Sequence, residues 1–203
     1  DMLDPWGAVT LDCQAGGAVF AERGDVAAYH RFCEVAIGIQ SDPANGDANG
    51  RVLKTCLLLP PDKDLMRRLQ PMAAATESWY HALPANQASG WAAIPSGLWR
   101  YRSGDYTGAI FCASLAADHT RPDSALYPTA RLIHAMASFR SGDEAGARRQ
   151  MDLARGKLAA DVKIPQDPGD GALGFWYDWL FARVLMKEAV ALIEGTAGPG
   201  EER

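Results

Sequence analysis

The sequence predicts an all-α fold, built as a stack of helix hairpins, and three observations support that prediction. Apolar residues recur at steps of three and four along most of the chain, whereas alternating, strand-like runs are nearly absent. The dipeptide Gly-Asp recurs between apolar segments, beginning at Gly24, Gly104 and Gly142. With 203 residues, of which 48% are hydrophobic, the chain is long enough to bury a core of its own.

Each Gly-Asp dipeptide is suited to join two helices. Glycine readily adopts the left-handed conformation that closes a helix, and the aspartate side chain accepts a hydrogen bond from a free N–H of the next one. The dipeptides at Gly24 and Gly104 are 80 residues apart, and those at Gly104 and Gly142 are 38 apart. A period of about 40 predicts a further break close to residue 62, where Pro60-Pro61-Asp62 stands. Paired helices that repeat at this interval are typical of a solenoid.

The breaks divide the chain, interpreted as a single domain of residues 1–203, into hairpins and a final helix. The four hairpins are predicted at about 9–40, 48–82, 88–119 and 124–161. We interpret Asn45-Gly46 and Asn49-Gly50 as part of a polar connection, and the Pro- and Gly-rich segment from Lys163 to Gly174 as a linker. The final helix, 174–195, has no partner in the pattern. We therefore expect it to cap the exposed face of the fourth hairpin.

The third hairpin resembles a tetratricopeptide (TPR) repeat. It has a small residue, Gly97, in its first helix, the run Gly104-Asp105-Tyr106 at its turn, and alanines such as Ala109 in its second helix. The first and fourth hairpins keep the Gly-Asp turn, but the fourth has Glu144 where the pattern has an aromatic residue, and the second hairpin lacks the pattern. The repeats are also longer than the usual length of about 34 residues. The resemblance implies a right-handed stack whose first helices line a concave, peptide-binding surface.

Three segments are similar to the helical C-terminal regions of large bacterial signalling proteins: 23–33, Cys56 to Pro60, and 174–180. In those proteins, notably in planctomycetes and their relatives, such regions follow a serine/threonine kinase domain or a WD-repeat propeller. The resemblance implies an appended regulatory or scaffolding module, and we expect the chain to be a fragment of such a larger protein. Neither the complete glycine-rich loop GxGxxGxV nor the HRD-like loop of a kinase occurs in the sequence.

Charge, hydropathy and cysteine usage argue against several classes of partner. The net charge is −5 with the acidic residues spread along the chain, so we expect no nucleic-acid partner. No run approaches the roughly 18 apolar residues needed to span a bilayer, so no membrane span is predicted. We interpret the cysteines as reduced core thiols, which favours a cytoplasmic location. They form no CxxC pair and lie in apolar helical contexts, at Cys13, Cys33, Cys56 and Cys112.

Motifs for catalysis or cofactor binding are missing from the sequence. It contains no GxxxxGK[ST] or GxSxG motif, and we interpret Gly169-Asp170-Gly171 as a turn of the linker. His30 and Cys33 lie on one predicted helix face, but a zinc site needs two further ligands at suitable spacing. Asp167 and Asp170 lack the ligand spacing of a calcium loop. We therefore predict no catalytic residue, no cofactor and no metal site.

The concave surface is the candidate binding site that the resemblance offers. Its partner-binding residues, mapped through the matched Gly-Asp turns, are Trp91, Ile94, Leu98, Tyr101 and Arg102 in the third hairpin and Leu132, Met136, Phe139 and Arg140 in the fourth. An aromatic residue followed by arginine recurs in register. We expect Arg102 and Arg140 to be solvent-accessible on one face and to pair with carboxylates of a partner. In the alternative interpretation, Tyr101 and Phe139 pack between helices and the arginine stems cover their rings.

The sequence accordingly favours a non-catalytic protein–protein interaction or scaffolding module. Such a module binds a protein or peptide segment, or another domain of its parent chain. Two alternatives stay open at this stage. One is a small-molecule-binding or enzymatic helical domain that uses the concave groove, and the other is a purely structural spacer between domains.

Overall fold

A computed structural model describes residues 5–39, 44–83, 87–160 and 174–195. Within these ranges the chain forms nine α-helices and no strand, which confirms the all-α class predicted from the sequence. The predicted linker from 163 and the acidic residues at 167 and 170 lie outside the described residues. The helices are α1 (Pro5–Glu22), α2 (Val26–Ile39), α3 (Gly46–Cys56), α4 (Lys63–Ala82), α5 (Gln87–Ser103), α6 (Tyr106–Asp118), α7 (Leu126–Arg140), α8 (Glu144–Ala160) and α9 (Trp176–Glu194).

The helices pack in pairs that follow the order of the chain. α1 packs on α2, α3 on α4, α5 on α6, and α7 on α8. The first helices of these pairs also form a row, because α1 contacts α3, α3 contacts α5, and α5 contacts α7. One hydrophobic core runs through the row, and it is rich in alanine, which permits close helix packing.

Three helix junctions repeat one geometry at Gly24, Gly104 and Gly142. Each glycine has a positive φ, of 71°, 86° and 90° respectively. Its N–H and that of the following aspartate donate back to carbonyls three and five residues earlier, which is the Schellman arrangement. The aspartate side chain then accepts a hydrogen bond from the N–H three residues ahead, at distances of 3.0, 2.9 and 2.8 Å. The same Gly-Asp turn therefore ends one helix and begins the next.

The start of α3 differs from the prediction, because the supposed connection around Asn45 is helical. The Asn45 side chain caps the helix by accepting a hydrogen bond from the Ala48 N–H at 3.0 Å. Gly46 and Gly50 then lie inside the helix, where glycine usually costs about 1 kcal/mol relative to alanine. Here it permits close approach: a Cβ on Gly46 would collide with the Trp79 side chain, and one on Gly50 would lie 3.2 Å from Thr76 Cγ2.

The last helix, α9, does more than cap the fourth hairpin. It packs on α7 and α8, as a cap would, but also on α1 at the other end of the row. Ion pairs join it to three of the first helices: Glu22 on α1 pairs with Lys187, Lys54 on α3 with Asp178, and Arg102 on α5 with Glu188. α9 therefore lies across the row of first helices. The expectation of a cap confined to the end of the stack is corrected on this point.

The cysteines are buried and unpaired, at Cys13, Cys33, Cys56 and Cys112. Burial raises the pKa of the Cys112 thiol to about 11. Among the helices that the structure describes, none combines the length and apolar character required to cross a membrane.

Candidate binding site

The structure buries most of the apolar side chains that the sequence assigned to an exposed groove. Tyr101 is 7% exposed, and four aliphatic residues are at most 1% exposed. These residues face neighbouring helices in the core, so the expectation that they present an open surface is corrected. The aliphatic residues are Ile94, Leu98, Leu132 and Met136.

Arg102 is also inside the stack, contrary to the prediction that it is solvent-accessible. Its side chain is 5% exposed. The guanidinium pairs with both carboxylate oxygens of Glu188, with Nη2 lying 2.7 Å from Oε2. Nε donates to the Leu57 carbonyl at 3.0 Å and Nη2 to the Leu58 carbonyl at 3.1 Å. The carbonyls at a helix end lack donors within the helix. Arg102 supplies these donors, and α9 supplies the carboxylate that a partner was expected to bring.

The second arginine of the proposed pair, Arg140, is exposed. The two arginines therefore do not form one accessible face, although both lie near the Tyr101 ring. Burial raises the pKa of Tyr101 to about 12, and the Glu188 carboxylate acts in the same direction against the opposing charges of Arg102 and Arg140. Arg102 lies 5.2 Å from the Tyr101 ring centroid, as in the alternative in which arginine stems cover the rings. Trp91 and Phe139 remain half-buried.

A cavity of about 350 Å³ opens between α1, α3, α4 and α5, beside the residue that precedes α9. This volume is near the lower end of the range of about 300–1,000 Å³ found for ligand sites. The cavity takes in one predicted groove residue, Trp91. It is lined by Leu11, Gln14, Asp47, Gly50, Arg51, Lys54, Trp79, Trp91, Ala92, Pro95 and Phe175.

Aromatic side chains from three helical segments form the walls of the cavity. Trp79 comes from α4, where the missing Cβ of Gly46 makes room for it. Trp91 comes from α5, and Phe175 stands at the N-cap of α9, with its ring stacked on Tyr177 at 5.3 Å. Their common position could not be predicted from spacing along the chain. A signal for the site did exist, namely two glycines within one helix, Gly46 and Gly50, which leave room for side chains of the facing helices.

The charged residues of the cavity are neutralised by partners beside them. The Lys54 ammonium lies 2.5 Å from the Asp178 carboxylate, and these side chains are only 5% and 1% exposed. The ammonium also lies 4.3 Å from the centroid of the Phe181 ring. Nearer the solvent, Arg51 pairs with Asp47 at 2.5 Å. Each cation thus has its own carboxylate, and the cavity as a whole presents little net charge.

Gln14 brings a side-chain amide to the wall of the cavity. It lines the cavity and is 6% exposed, and its amide makes no hydrogen bond to any other residue that the structure describes. An amide provides two donor hydrogens and one acceptor oxygen. Because Gln14 lines the cavity, its amide is placed to exchange hydrogen bonds with a polar group of a ligand.

The wall of the cavity that α5 forms contains a proline inside the helix, Pro95. Proline has no N–H, so the carbonyl of Trp91 four residues earlier cannot receive the usual helical hydrogen bond from position 95. Both residues line the cavity. The helix beside the cavity therefore lacks one hydrogen bond of its ladder.

In the part of the chain that the structure describes, no three or more His, Cys, Asp and Glu side chains come together in a group able to hold a metal ion. The cavity is lined instead by rings, one amide and two ion-paired cations. Groups of these kinds can bind and orient a ligand.

Comparison with known proteins adds no relative to this description. No family model matches the chain, and neither the curated proteins nor the solved structures provide a match.

Proposed function

We propose that the chain is a non-catalytic protein–protein interaction module, a TPR-like stack of four hairpins that binds a segment of another protein or of its own parent chain. The repeated Schellman junctions and the row formed by α1, α3, α5 and α7 support the repeat interpretation. A right-handed stack is part of the proposal, as is a role as the scaffolding region of a larger bacterial signalling protein.

The aromatic-walled cavity is the observation that carries the proposal. α9 covers the row of first helices, so a partner would not use the concave surface in the way that the sequence suggested. The cavity beside Phe175 remains open, and it combines two tryptophans with a phenylalanine. Aromatic pockets of this kind hold the anchor side chains that dominate binding energy in protein interfaces.

The proposal is tested by selecting peptides from a random displayed library on the immobilised chain, and measuring their affinities by calorimetry. We expect selected peptides to bind the Trp91→Ala variant at least tenfold more weakly, because truncation of an interface anchor commonly costs about 2 kcal/mol or more. Phe111→Ala is the matched control, since Phe111 is 63% exposed on α6 and lies outside the cavity.

Melting curves of both variants establish that they are folded before affinities are compared. Equal affinity of the selected peptides for the two variants would show that the cavity is not the binding point. Failure to select any peptide would contradict the interaction function itself and would favour the spacer interpretation.

A further inference from the structure

The ligand of the cavity is defined more narrowly by Gln14 and by the paired charges. We propose, on the basis of the function proposed above, that the cavity binds an uncharged aromatic side chain together with its own peptide group. The aromatic ring lies among Trp79, Trp91 and Phe175, and the Gln14 amide hydrogen-bonds to the peptide group.

The aromatic ring of the proposed ligand matches the walls of the cavity. Three aromatic walls favour an aromatic guest, because ring pairs in tilted or offset contact stabilise a complex beyond the effect of buried area alone. The cavity volume of about 350 Å³ accommodates a side chain and a short piece of backbone, but not a helix about 10 Å across. The occupant is therefore one side chain of an extended segment, together with the backbone next to it.

The peptide group of the proposed ligand matches the Gln14 amide. A peptide unit has one N–H and one carbonyl, and these match the oxygen and the NH₂ of the Gln14 amide. Gln14 is 6% exposed, lines the cavity and has no hydrogen bond to another described residue, so its donors and its acceptor are available to a ligand.

The two cations of the cavity are already ion-paired, and this pairing disfavours an anionic ligand. Lys54 is held by Asp178 and Arg51 by Asp47. A carboxylate that entered the cavity would lose its hydration and meet cations whose charge is already compensated. The neutral amide form of an aromatic amino acid should therefore bind better than the free acid.

The experiment compares three small probes by saturation-transfer NMR titration: N-acetylphenylalaninamide, N-acetylphenylalanine and benzyl alcohol. We expect the amide to bind at least fivefold more tightly than the acid. Gln14→Met, which keeps the side-chain shape and removes the amide, should weaken binding of the amide probe about fivefold and leave benzyl alcohol unchanged. Gln70→Met is the matched control, because Gln70 is exposed on α4 and does not line the cavity.

The outcomes separate this inference from the function on which it rests. Tighter binding of the acid, or equal binding of the amide probe to Gln14→Met and Gln70→Met, would overturn the inference. If none of the probes binds while library-selected peptides still depend on Trp91, the inference is wrong and the interaction function stands. Gln14→Glu is a second variant: it removes the NH₂ donors but keeps an acceptor oxygen, so it should weaken binding of the amide probe relative to Gln70→Met, and equal binding to these two variants would overturn the inference.

Discussion

At the scale of single residues, polar side chains fasten helix ends that are far apart in the sequence. Arg102 donates to the carbonyls of Leu57 and Leu58, directly after α3, and holds Glu188 on α9. Asp178 accepts from the Phe175 N–H at the start of α9, at 2.9 Å, while its other oxygen holds Lys54. Removal of one member of such a pair is more costly than the pair is stabilising, because the remaining group stays buried without its partner. We therefore expect substitution of these residues to lower the stability of the fold.

The substitution Arg102→Ala should lower the free energy of unfolding by about 3 kcal/mol, because it leaves Glu188 and the carbonyls of Leu57 and Leu58 without their donor. Arg140→Ala is the control for the same residue type, and as an exposed position it should change stability by no more than about 0.5 kcal/mol. Urea unfolding of both variants measures the difference. Similar small losses in the two variants would mean that the buried pairing contributes nothing.

Tyr101 gives the protein a sensitivity to high pH. Its pKa is raised from about 10 to about 12, chiefly by burial. The protonated phenol is therefore favoured in the folded state, so the contribution to stability is complete below about pH 10 and is lost as the pH rises towards 12. The Tyr101→Phe variant cannot ionise here, and its stability should fall about 2 kcal/mol less over that interval. Denaturant titrations at pH 9 and pH 11.5 test this, and equal falls in both proteins would contradict it.

At the scale of the helices, local chemistry explains the junctions and long-range packing explains the rest. The Gly-Asp turns could be predicted because a Schellman motif and an aspartate cap involve residues within five or six positions. The beginning of α3 could not, since glycines in a helix are favoured only by contacts with Thr76 and Trp79 on another helix. The position of α9 depends on pairs separated by 86 and 124 residues, Arg102 with Glu188 and Lys54 with Asp178. No local pattern encodes such pairs, so the sequence predicted the helix but not where it packs.

Removal of α9 should unfold more than the fourth hairpin. A chain that ends at residue 173 loses the buried Phe181, Leu185 and Ala189, each large side chain contributing roughly 1.5–3 kcal/mol by burial. It also loses the partners of Lys54 and Arg102. We expect aggregation or loss of the cooperative melting transition, measured by circular dichroism and size-exclusion chromatography. An unchanged melting temperature would show that α9 is an appendage.

At the scale of the whole molecule, the protein brings its own helix to the surface where a partner was expected. α9 contacts both ends of the row of first helices, α1 and α7. The groove residues proposed from the sequence are consequently divided: the aliphatic ones and Arg102 are internal, whereas Trp91 contributes to a smaller cavity between α1, α3, α4 and α5. In the function proposed above, a partner segment therefore binds at a site that is formed by α1, α3, α4 and α5 together with Phe175.

The indole N–H resonances of the tryptophans test this claim most directly, because six tryptophans are distributed through the chain and each gives a separate NMR signal. On titration with a library-selected peptide, the signals of Trp79 and Trp91 should shift, since both side chains line the cavity. The signal of Trp99, which packs against the core away from the cavity, should stay in place. Shifts at Trp99 with none at Trp79 and Trp91 would contradict the assignment of the cavity as the binding site.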